Sequence, residues 1–343
     1  MKQKIIAIDA MGGDHGPVVT VPAAKIALDQ IPDIQLILVG DSALLIQVLA
    51  MNGLEGNTRI SVQHASEVVG MDEAPAHALK KKKDSSMRVA INLVKEEKVQ
   101  ACVSAGNTGA LMATSKFVLK TIKGISRPAI CGMLPAITGQ TYMLDLGANI
   151  ECTPQNLLEF AVMGSVLAQS VEGIDNPSVG LLNIGSEEMK GSDSIKEASQ
   201  LIAATNINYR GFVEGDDIYK GTVNVVVADG FVGNVSLKTG EGLASLVKHV
   251  LQTEFKRNLF TKLLALISLP VLNAVKKTLD PGQYNGASLL GLNGIVVKSH
   301  GGADTNSFVN AIKIASIEIE NDVPQRISHE VESYLAKMVE VGL

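Results

Sequence analysis

Short apolar runs alternate with longer segments of helical periodicity from the start of the chain. Apolar runs bounded by turn residues are typical of buried strands, and strands that alternate with helices are typical of a parallel sheet with helices on its faces. The pattern therefore predicts an α/β fold. The predicted strands are Ile5–Asp9, Ile34–Gly40, Ile60–Gln63, Ala101–Ser104, Ala129–Leu134, Tyr142–Asp145, Val179–Ile184, Val223–Ala228 and Ile295–Lys298.

Capping residues mark several helix starts. Thr153 provides an N-cap directly before a proline, and Asp41 and Asp304 provide capping carboxylates. The sequence contains no internal repeat and no linker rich in proline or serine. We therefore predict one α/β catalytic unit over residues 1–343, within which a boundary between two lobes would fall near 145–178.

Residues 240–280 differ from the rest, because they are predicted to be helical and little strand signal lies between Leu237 and Gly294. We predict a helical hairpin extension here. Its apolar centre lies between basic ends, which is typical of a helix in a membrane interface, and a buried core or dimer helix explains the pattern equally well. The residues predicted to contact a membrane are Leu263, Leu264, Leu266, Ile267 and Leu269.

Composition and charge narrow the class of protein. Apolar residues make up 46% of the chain and aromatic residues only 3%, so the core is predicted to be aliphatic. The net charge of −5 and the few aromatic residues argue against binding of nucleic acid. Three cysteines provide no disulfide framework, and the first apolar run is too short for a signal peptide. These features predict a cytoplasmic protein.

The first glycine-rich loop, residues 9–17, directly follows the first predicted strand. Its glycines, including Gly12 and Gly13, let backbone amides turn toward an anion, and the positive end of the following helix strengthens such a site. The G-x-G-x-x-G spacing of a dinucleotide site is absent. Asp14 and His15 have no packing task in a loop, which favours a functional site over the alternative of a plain tight turn.

The second glycine-rich loop, residues 104–110, leaves an apolar strand and enters a helix of small residues. Asn107 and Thr108 can cap this helix, while the amides of Gly106 and Gly109 are placed to cradle phosphate oxygens. A well-capped helix that packs closely on its strand is the structural alternative.

Later strand ends carry five further polar residues. Asp145 is most simply explained as holding its own loop together, so Asn149 is the preferred ligand in that loop. Lys190 lies in a glycine-bounded loop where its charge can reach phosphate or a developing oxyanion, although a solvated lysine fits the spacing equally well. Asp229 and Asn234 flank a glycine turn that opens a helix, and capping explains them nearly as well.

Two features bear on partners and cofactors. The block Lys80, Lys81, Lys82, Lys83 is either a solvated face or a docking patch for an acidic carrier protein. The sequence contains no H-E-x-x-H, C-x-x-C or G-x-S-x-G motif. We therefore predict no metal, no cofactor and no covalent enzyme intermediate. Cys152 is the one thiol that a helix dipole could activate.

Five motifs occur in order along the chain: I-D-A-M-G-G-D-H-G-P at 8–17, S-A-G-N-T-G-A at 104–110, D-L-G-A-N at 145–149, N-I-G-S-E-E at 183–188 and D-G-F-V-G-N at 229–234. With S-H-G at 299–301, they resemble the bacterial phosphate acyltransferase (PlsX) family over essentially the whole chain. The resemblance implies a homodimeric α/β/α sandwich with a mostly parallel sheet, similar to phosphotransacetylases. It also implies transfer of a fatty acyl group from acyl-[acyl-carrier-protein] to inorganic phosphate, giving acyl phosphate for phospholipid (phosphatidic acid) synthesis.

Such a reaction needs little covalent chemistry from the protein. Inorganic phosphate is already an oxyanion nucleophile, so the enzyme has to position it, offset its charge and stabilise the oxyanion formed at the thioester carbonyl. We hypothesise that the strand ends converge on one pocket for this purpose. The hypothesised phosphate-binding residues are Gly12, Gly13, Asp14, Asn107, Thr108, Gly109 and Asn149, and the hypothesised catalytic residues are Lys190, Asp229, Asn234 and His15.

Other functions and partners follow from the same patterns. Peripheral contact with the inner face of the plasma membrane would bring the acyl phosphate to a downstream membrane acyltransferase. The alternatives are a short-chain phosphotransacetylase that uses acyl-CoA, a metal- and NAD-dependent hydroxyacid dehydrogenase, and a non-catalytic regulator that binds phosphate or carrier. The dehydrogenase would need a dinucleotide site and paired metal carboxylates, and neither is evident in the sequence.

Overall fold

The computed structural model describes the backbone of residues 3–341, with the side chains of that range except those at 277, 279, 281 and 334–341. In this range eleven strands form one sheet. They are β1 (Lys4–Asp9), β2 (Ile34–Gly40), β3 (Ile60–His64), β4 (Ala101–Ser104), β5 (Ala129–Ala136), β6 (Gly139–Leu144), β7 (Ser178–Leu182), β8 (Asn208–Val213), β9 (Val225–Val227), β10 (Ala287–Leu290) and β11 (Ile295–Lys298).

Helices connect these strands and cover the sheet. They are α1 (Pro17–Gln30), α2 (Ser42–Met51), α3 (Pro75–Lys81), α4 (Ser86–Lys95), α5 (Thr108–Leu119), α6 (Pro154–Glu172), α7 (Asp193–Ala203), α8 (Asp217–Lys220), α9 (Gly230–Lys256), α10 (Leu259–Ile267), α11 (Leu269–Leu279), α12 (Thr305–Glu320) and α13 (Val323–Val341). The predicted α/β fold with a mostly parallel sheet is confirmed.

Side chains of the central strands alternate between two layers of helix. Ala7 and Cys102 pack with α4 and α5 on one face of the sheet. Ile6, Ile8 and Val103 pack with α1 and α12 on the other face. This two-residue alternation is what strand geometry requires. Because helices cover both faces, these strands are buried throughout, and their core is aliphatic as the composition predicts.

The predicted helix starts are confirmed by their caps. The Asp41 side chain accepts a hydrogen bond from the backbone amide of Leu44, and Asp304 accepts one from Ser307. Thr153 and Asn156 form a reciprocal capping box at the start of α6. Each cap satisfies a backbone donor that the first helical turn leaves without an intrahelical partner.

The direction of the strands changes within the sheet, whose spatial order is β3-β2-β1-β4-β11-β10-β5-β6-β9-β7-β8. β10 pairs antiparallel with both β11 and β5, and β5 pairs antiparallel with β6. The strands β6, β9 and β7 therefore run opposite to β1, β4 and β11. We call the edge at the carboxyl ends of β1, β4 and β11 the first edge, and the edge at the carboxyl ends of β6, β7 and β9 the second edge.

The sequence pattern misses two of these strands. β10 lies in the segment predicted to have little strand signal, so that prediction is corrected here. The pattern misses β10 because its four residues, Ala-Ser-Leu-Leu, are too few to display a period. β8, Asn-Tyr-Arg-Gly-Phe-Val, lies at the margin of the sheet and is only partly buried. Polar residues and a glycine are tolerated there, and they interrupt the apolar pattern.

Three helices occupy the segment predicted as a hairpin. α9 begins at Gly230, ten residues before the predicted start, and α10 packs against both α9 and α11. Among the described residues, no single helix is both long enough and apolar enough to cross a membrane. The helices Leu259–Ile267 and Leu269–Lys276 have the required length and apolar composition only when taken together, and they are bent by 74° at the break between them. The large apolar side chains of α10 are exposed.

Candidate functional site

Three loops meet at the first edge. The amide of Asp14 donates to the carbonyl of Gly301 at 2.9 Å. Gly13 has a φ of 85°, and a Cβ there would lie 2.8 Å from Ala105 Cβ and 2.9 Å from Gly301 O. Only glycine allows so close an approach with this backbone conformation. The loops that precede α1, α5 and α12 are thus in contact, and the positive N-terminal ends of these helices lie around one region.

A buried carboxylate joins the ends of β1 and β4. Asp9 is 1% exposed, and its Oδ2 accepts a hydrogen bond from the Ser104 hydroxyl at 2.6 Å. The same hydroxyl accepts from the amide of Gly106 at 3.0 Å. Oδ1 of Asp9 has no hydrogen-bond partner among the described residues. Burial raises the pKa of this carboxyl above its usual value.

A buried lysine lies beside this carboxylate. Lys298 is 8% exposed, and its Nζ donates to the carbonyl of Ala105 at 3.2 Å and to the carbonyl of Ser299. Burial lowers the pKa of the Lys298 ammonium to about 8, against the opposing effect of the negative charges of Asp9 and Asp14. The ammonium of Lys298 therefore places a positive charge among the three loops.

Sequence reasoning misses Lys298 as a functional residue. A signal was present, because a lysine ends the apolar run Ile-Val-Val directly before Ser-His-Gly. A charged residue continuing a strand that is buried on both faces has to reach a polar site at the strand end.

Asn107 has a structural role at the start of α5. Its Oδ1 accepts from the amide of Ala110 at 2.9 Å, and its Nδ2 donates to the carbonyls of Met71 at 2.7 Å and Glu73 at 3.1 Å. Both amide hydrogens are therefore used within the protein. The groups left for an anion are the backbone amides of Thr108 and Gly109, because the first turn of a helix leaves such donors without intrahelical acceptors.

Three other predicted residues also lie at the first edge. Gly12 is buried, and a Cβ there would come within 2.5 Å of Asp9 Oδ2, so this position requires close backbone approach. Asp14 and His15 are exposed. Because the amide of Asp14 already donates to Gly301 and its carboxylate repels an anion, Asp14 offers phosphate no donor. The assignment of Asp14 to phosphate binding is therefore unsupported by its geometry.

At the second edge, Asp145 organises the loop after β6. Its buried carboxylate accepts backbone hydrogen bonds from Ile130 at 2.9 Å and Asn149 at 2.7 Å. The Nδ2 of Asn149 donates to Asp145 Oδ2 at 3.0 Å and to the carbonyl of Pro128 at 2.8 Å. Asn149, like Asn107, has no amide hydrogen left for phosphate and positions its loop instead.

The N-terminus of α9 packs directly onto this loop. Asp229 caps the helix by accepting from the amide of Val232 at 2.8 Å. Asn234 Nδ2 donates to the carbonyl of Leu146 at 3.1 Å, and the amide of Gly230 donates to the carbonyl of Asn149 at 2.7 Å. The Asp229 side chain therefore caps α9, which is the structural alternative to a catalytic role. Asn234 and the amide of Gly230 hold the helix against the loop.

Lys190 lies in the exposed loop between β7 and α7. The carbonyl of Lys190 accepts from Asn183 Nδ2 at 3.1 Å, and its amide donates to the carbonyl of Glu187 at 3.0 Å. The next residue, Gly191, has a φ of 89°. The backbone of this residue is thus fixed while its ammonium reaches out into solvent at the second edge.

The predicted site residues therefore form two groups rather than one. β10 pairs antiparallel with both neighbours and so leaves β5 parallel to β11, and the antiparallel β5–β6 pair then reverses the strand direction and puts the two groups at opposite edges of the sheet. The sequence suggests a single convergent pocket within one chain. The topology of the sheet shows that this prediction is wrong. The first edge carries Gly12, Gly13, Asp14, His15, Asn107, Thr108 and Gly109, and the second edge carries Asn149, Lys190, Asp229 and Asn234.

Comparison with known proteins identifies the family. The family model described as "Fatty acid synthesis protein" matches residues 4–326. The chain is 58% identical to the phosphate acyltransferase of Nitrosococcus oceani over 332 residues, 97% of this chain and 98% of that protein. It is 57% identical to the phosphate acyltransferase of Methylococcus capsulatus over 331 residues, 96% of this chain and 98% of that protein. The chain belongs to the phosphate acyltransferase (PlsX) family.

Solved structures show the same fold at low sequence identity. A phosphotransacetylase from Streptococcus pyogenes has a TM-score of 0.65 and 17% identity, over 93% of this chain and 94% of that chain. The EutD phosphotransacetylase from Staphylococcus aureus has a TM-score of 0.61 and 17% identity, with the same coverage. The phosphate acyltransferase therefore has the fold of phosphotransacetylases, as its motifs imply.

The thiols of this phosphate acyltransferase are poorly suited to nucleophilic attack. Burial is the main cause that raises the pKa of Cys152 to about 12. It raises the pKa of Cys102 and Cys131 well above the usual value as well. Since the thiolate is the nucleophilic form, these cysteines stay protonated at neutral pH. The arrangement is instead suited to holding an anion and offsetting its charge.

Proposed function

We propose that this phosphate acyltransferase transfers a fatty acyl group from acyl-[acyl-carrier-protein] to inorganic phosphate, forming acyl phosphate for phosphatidic acid synthesis. The observation that carries the proposal is the meeting of three loops and three helix N-termini at the first edge, beside the buried cation of Lys298. Such an arrangement favours a small, highly charged anion.

Phosphate at the first edge would be both held and activated by position. The amides of Gly13, Thr108 and Gly109 are the donors proposed to bind it, and Lys298 offsets part of its charge. A bound phosphate oxygen then attacks the thioester carbonyl, the carbonyl electrons move onto oxygen, and collapse of this oxyanion expels the carrier thiolate. Positioning and charge stabilisation supply the rate enhancement, so no protein nucleophile is required.

The oxyanion that forms at the thioester carbonyl needs a positive group to stabilise it. Lys190 is a candidate, but it lies far from the first edge of its own chain. Four strand steps separate β4 from β6, about 19 Å at a spacing of about 4.8 Å per strand, and the two edges also face opposite ways. We propose that the enzyme is a homodimer in which the second edge of one chain, with Lys190, lies against the first edge of its partner. Two-fold symmetry then gives two equivalent composite sites.

Mixing two inactive variants tests both the reaction and the shared site. Acyl phosphate formed from acyl carrier and phosphate is trapped with hydroxylamine and measured. Lys298→Met and Lys190→Ala are each expected to be inactive alone. When the two variants are mixed, dissociated and allowed to reassociate, about one quarter of wild-type activity should return, because half of the dimers are mixed and each mixed dimer has one intact site. No recovery would contradict the shared site, and no acyl phosphate from the wild type would contradict the function.

A short-chain phosphotransacetylase acting on acyl-CoA is the second candidate, favoured by the fold shared with phosphotransacetylases. Comparing kcat/KM for the same acyl group on carrier protein and on CoA distinguishes the two. A higher kcat/KM for the carrier supports the proposed donor. The block Lys80–Lys83 is proposed to contribute to carrier docking, because three of its four side chains are exposed.

We also propose that α10 makes peripheral contact with the inner face of the plasma membrane, where the acyl phosphate can pass to a membrane acyltransferase. Its apolar side chains Leu263, Leu266 and Ile267 are 55%, 63% and 71% exposed. An apolar helix surface of this kind is suited to the headgroup boundary. A Leu263→Glu, Leu266→Glu variant that stays dimeric should fail to float with anionic liposomes. Unchanged flotation would leave α10 as a protein interface.

A further inference from the structure

Positive charge is concentrated in one segment of this acidic chain. Residues 74–144 contain eleven lysines and arginines and three acidic residues, a net charge of +8. The rest of the chain contains nineteen basic and thirty-two acidic residues, a net charge of −13. No acidic residue occurs between Glu97 and Asp145. Segregation of this size creates a local field that attracts negatively charged partners and steers their approach.

The fold brings part of this charge onto one face. α3 and α4 both pack against α5, on the side of the sheet opposite α1 and α12. The ammonium groups of this face belong to exposed residues at the end of α3, in the loop after it, and along the last turn of α5. They are Lys80, Lys81, Lys83, Lys116 and Lys120.

An exposed aromatic ring lies among these cations. Phe117 is 52% exposed, with the guanidinium of Arg88 5.1 Å and the ammonium of Lys120 4.9 Å from its ring centroid. Cation–π contacts at this range attract the two cations to the face of the ring. Aromatic and arginine side chains are the residue types that dominate binding energy at protein interfaces.

This face adjoins the phosphate site. α5 begins beside Asn107, whose side chain ties the first edge to the residues before α3. Phe117 lies ten residues further along the same helix, about 15 Å at about 1.5 Å per residue. A partner seated on the face is thus close enough to send an extended arm to the first edge.

We propose that the face formed by α3, α4 and α5, centred on Phe117 with Arg88 and Lys120, docks an acidic surface of the acyl carrier protein; this rests on the proposed function. The occupant is an acidic protein rather than a lipid surface, because the face offers one aromatic ring and many cations. Interfacial binding to lipid needs a broad apolar face. The ring fills an apolar contact at the centre, and the lysines pair with the carboxylates around it.

Charge reversal on α5 tests the docking surface. In a Lys116→Glu, Lys120→Glu variant we expect KM for acyl carrier to rise at least tenfold. Its kcat, its KM for phosphate and its activity on the carrier-free thioester acyl-CoA should stay within twofold. Phe117→Ala should raise the same KM about tenfold. Lys25→Glu, a single charge reversal at an exposed position on α1 across the sheet, is the control and should leave all four values unchanged.

Each other outcome has a definite meaning. If the double variant behaves like Lys25→Glu, or if all of its activities fall together, the docking surface is overturned. If it loses flotation with anionic liposomes while KM for the carrier is unchanged, a membrane is the occupant and the inference is also overturned. Failure of the wild type on acyl carrier with turnover of acyl-CoA refutes the proposed donor instead. In added salt the KM of the wild type for the carrier should rise more steeply than that of the double variant.

Discussion

Replacing Lys298 with methionine tests whether the buried ammonium serves phosphate. Methionine retains the flexible apolar stem and removes the charge. Burial lowers the pKa of Lys298 from 10.5 to about 8, which corresponds to about 3 kcal/mol of lost preference for the charged form. The fold thus keeps a cation at this position at a cost in stability. Binding of an anion by this charge would account for that cost.

The loss expected in Lys298→Met is one of phosphate affinity. At 4 Å and an effective dielectric constant of 20, two unit charges attract by about 4 kcal/mol, and desolvation reduces the net gain. We therefore expect kcat/KM for phosphate to fall by about 10²- to 10³-fold, while KM for the acyl donor changes by less than about twofold. The free energy of unfolding at neutral pH should change by about 1 kcal/mol or less, because relief of a buried charge opposes the loss of two hydrogen bonds.

The pH profile separates this role from a merely structural one. Lys298 is charged below its pKa, so its effect on phosphate binding is present at neutral pH and is lost as the pH rises through about 8. The substrate titrates identically with both enzymes, so the ratio of wild-type to Lys298→Met kcat/KM isolates the lysine. This ratio should fall toward one above about pH 8. Lys298→Arg should keep its charge through that range. An unchanged KM for phosphate in Lys298→Met, or a ratio independent of pH, would refute the reasoning.

Two further predictions concern stability. A Cβ at Gly233 would overlap the carbonyl oxygen of Asp145, so Gly233→Ala should lower the free energy of unfolding by about 1–3 kcal/mol in urea denaturation. Gly242 lies in the same helix with open space around it, so Gly242→Ala should be neutral or stabilising. Equal effects of the two substitutions would contradict the packing argument. Burial raises the pKa of Glu318 to about 7 from 4.5, so the folded state binds its proton more tightly and stability should decline as pH rises from about 4.5 through 7. Glu318→Gln should flatten that slope, and an unchanged slope would exclude Glu318 as its source.

Local sequence patterns predict the parts of this fold that local energetics determine. The caps at Asp41, Thr153 and Asp304 depend on residues within one helical turn, and the structure has all three. The central strands are buried on both faces, so their apolar runs are continuous and easily recognised. The family motifs likewise mark loops that are local in sequence.

The division of the site follows from pairings that are remote in sequence. Asn149 and Thr108 both follow a predicted strand, and in an all-parallel sheet their loops would share one edge. Whether they do depends on the orientation of β5 relative to β11, which is set through the two antiparallel pairings of β10, and on the antiparallel β5–β6 pair that then reverses the sheet. The sequence of a four-residue strand does not reveal which remote strands it pairs with. Side-chain hydrogen bonds are equally remote: Asn107 is an obvious ligand by type, and only its contacts with Met71 and Glu73 reveal that its donors are in use.

A site divided between two chains links catalysis to assembly. In the proposed composite site, Lys190 of the partner can contact the phosphate as well as the oxyanion. A phosphate held by both chains binds only the dimer, so it must favour the dimer by mass action. At a free concentration one hundred times its Kd, phosphate would stabilise each site by about 2.7 kcal/mol. Sedimentation of the wild type should therefore show tighter dimerisation as phosphate is added, and Lys298→Met should lose most of this effect while it still dimerises. A dimer dissociation constant that is independent of phosphate would mean that the anion touches one chain only, and Lys190 would then act on the acyl donor alone.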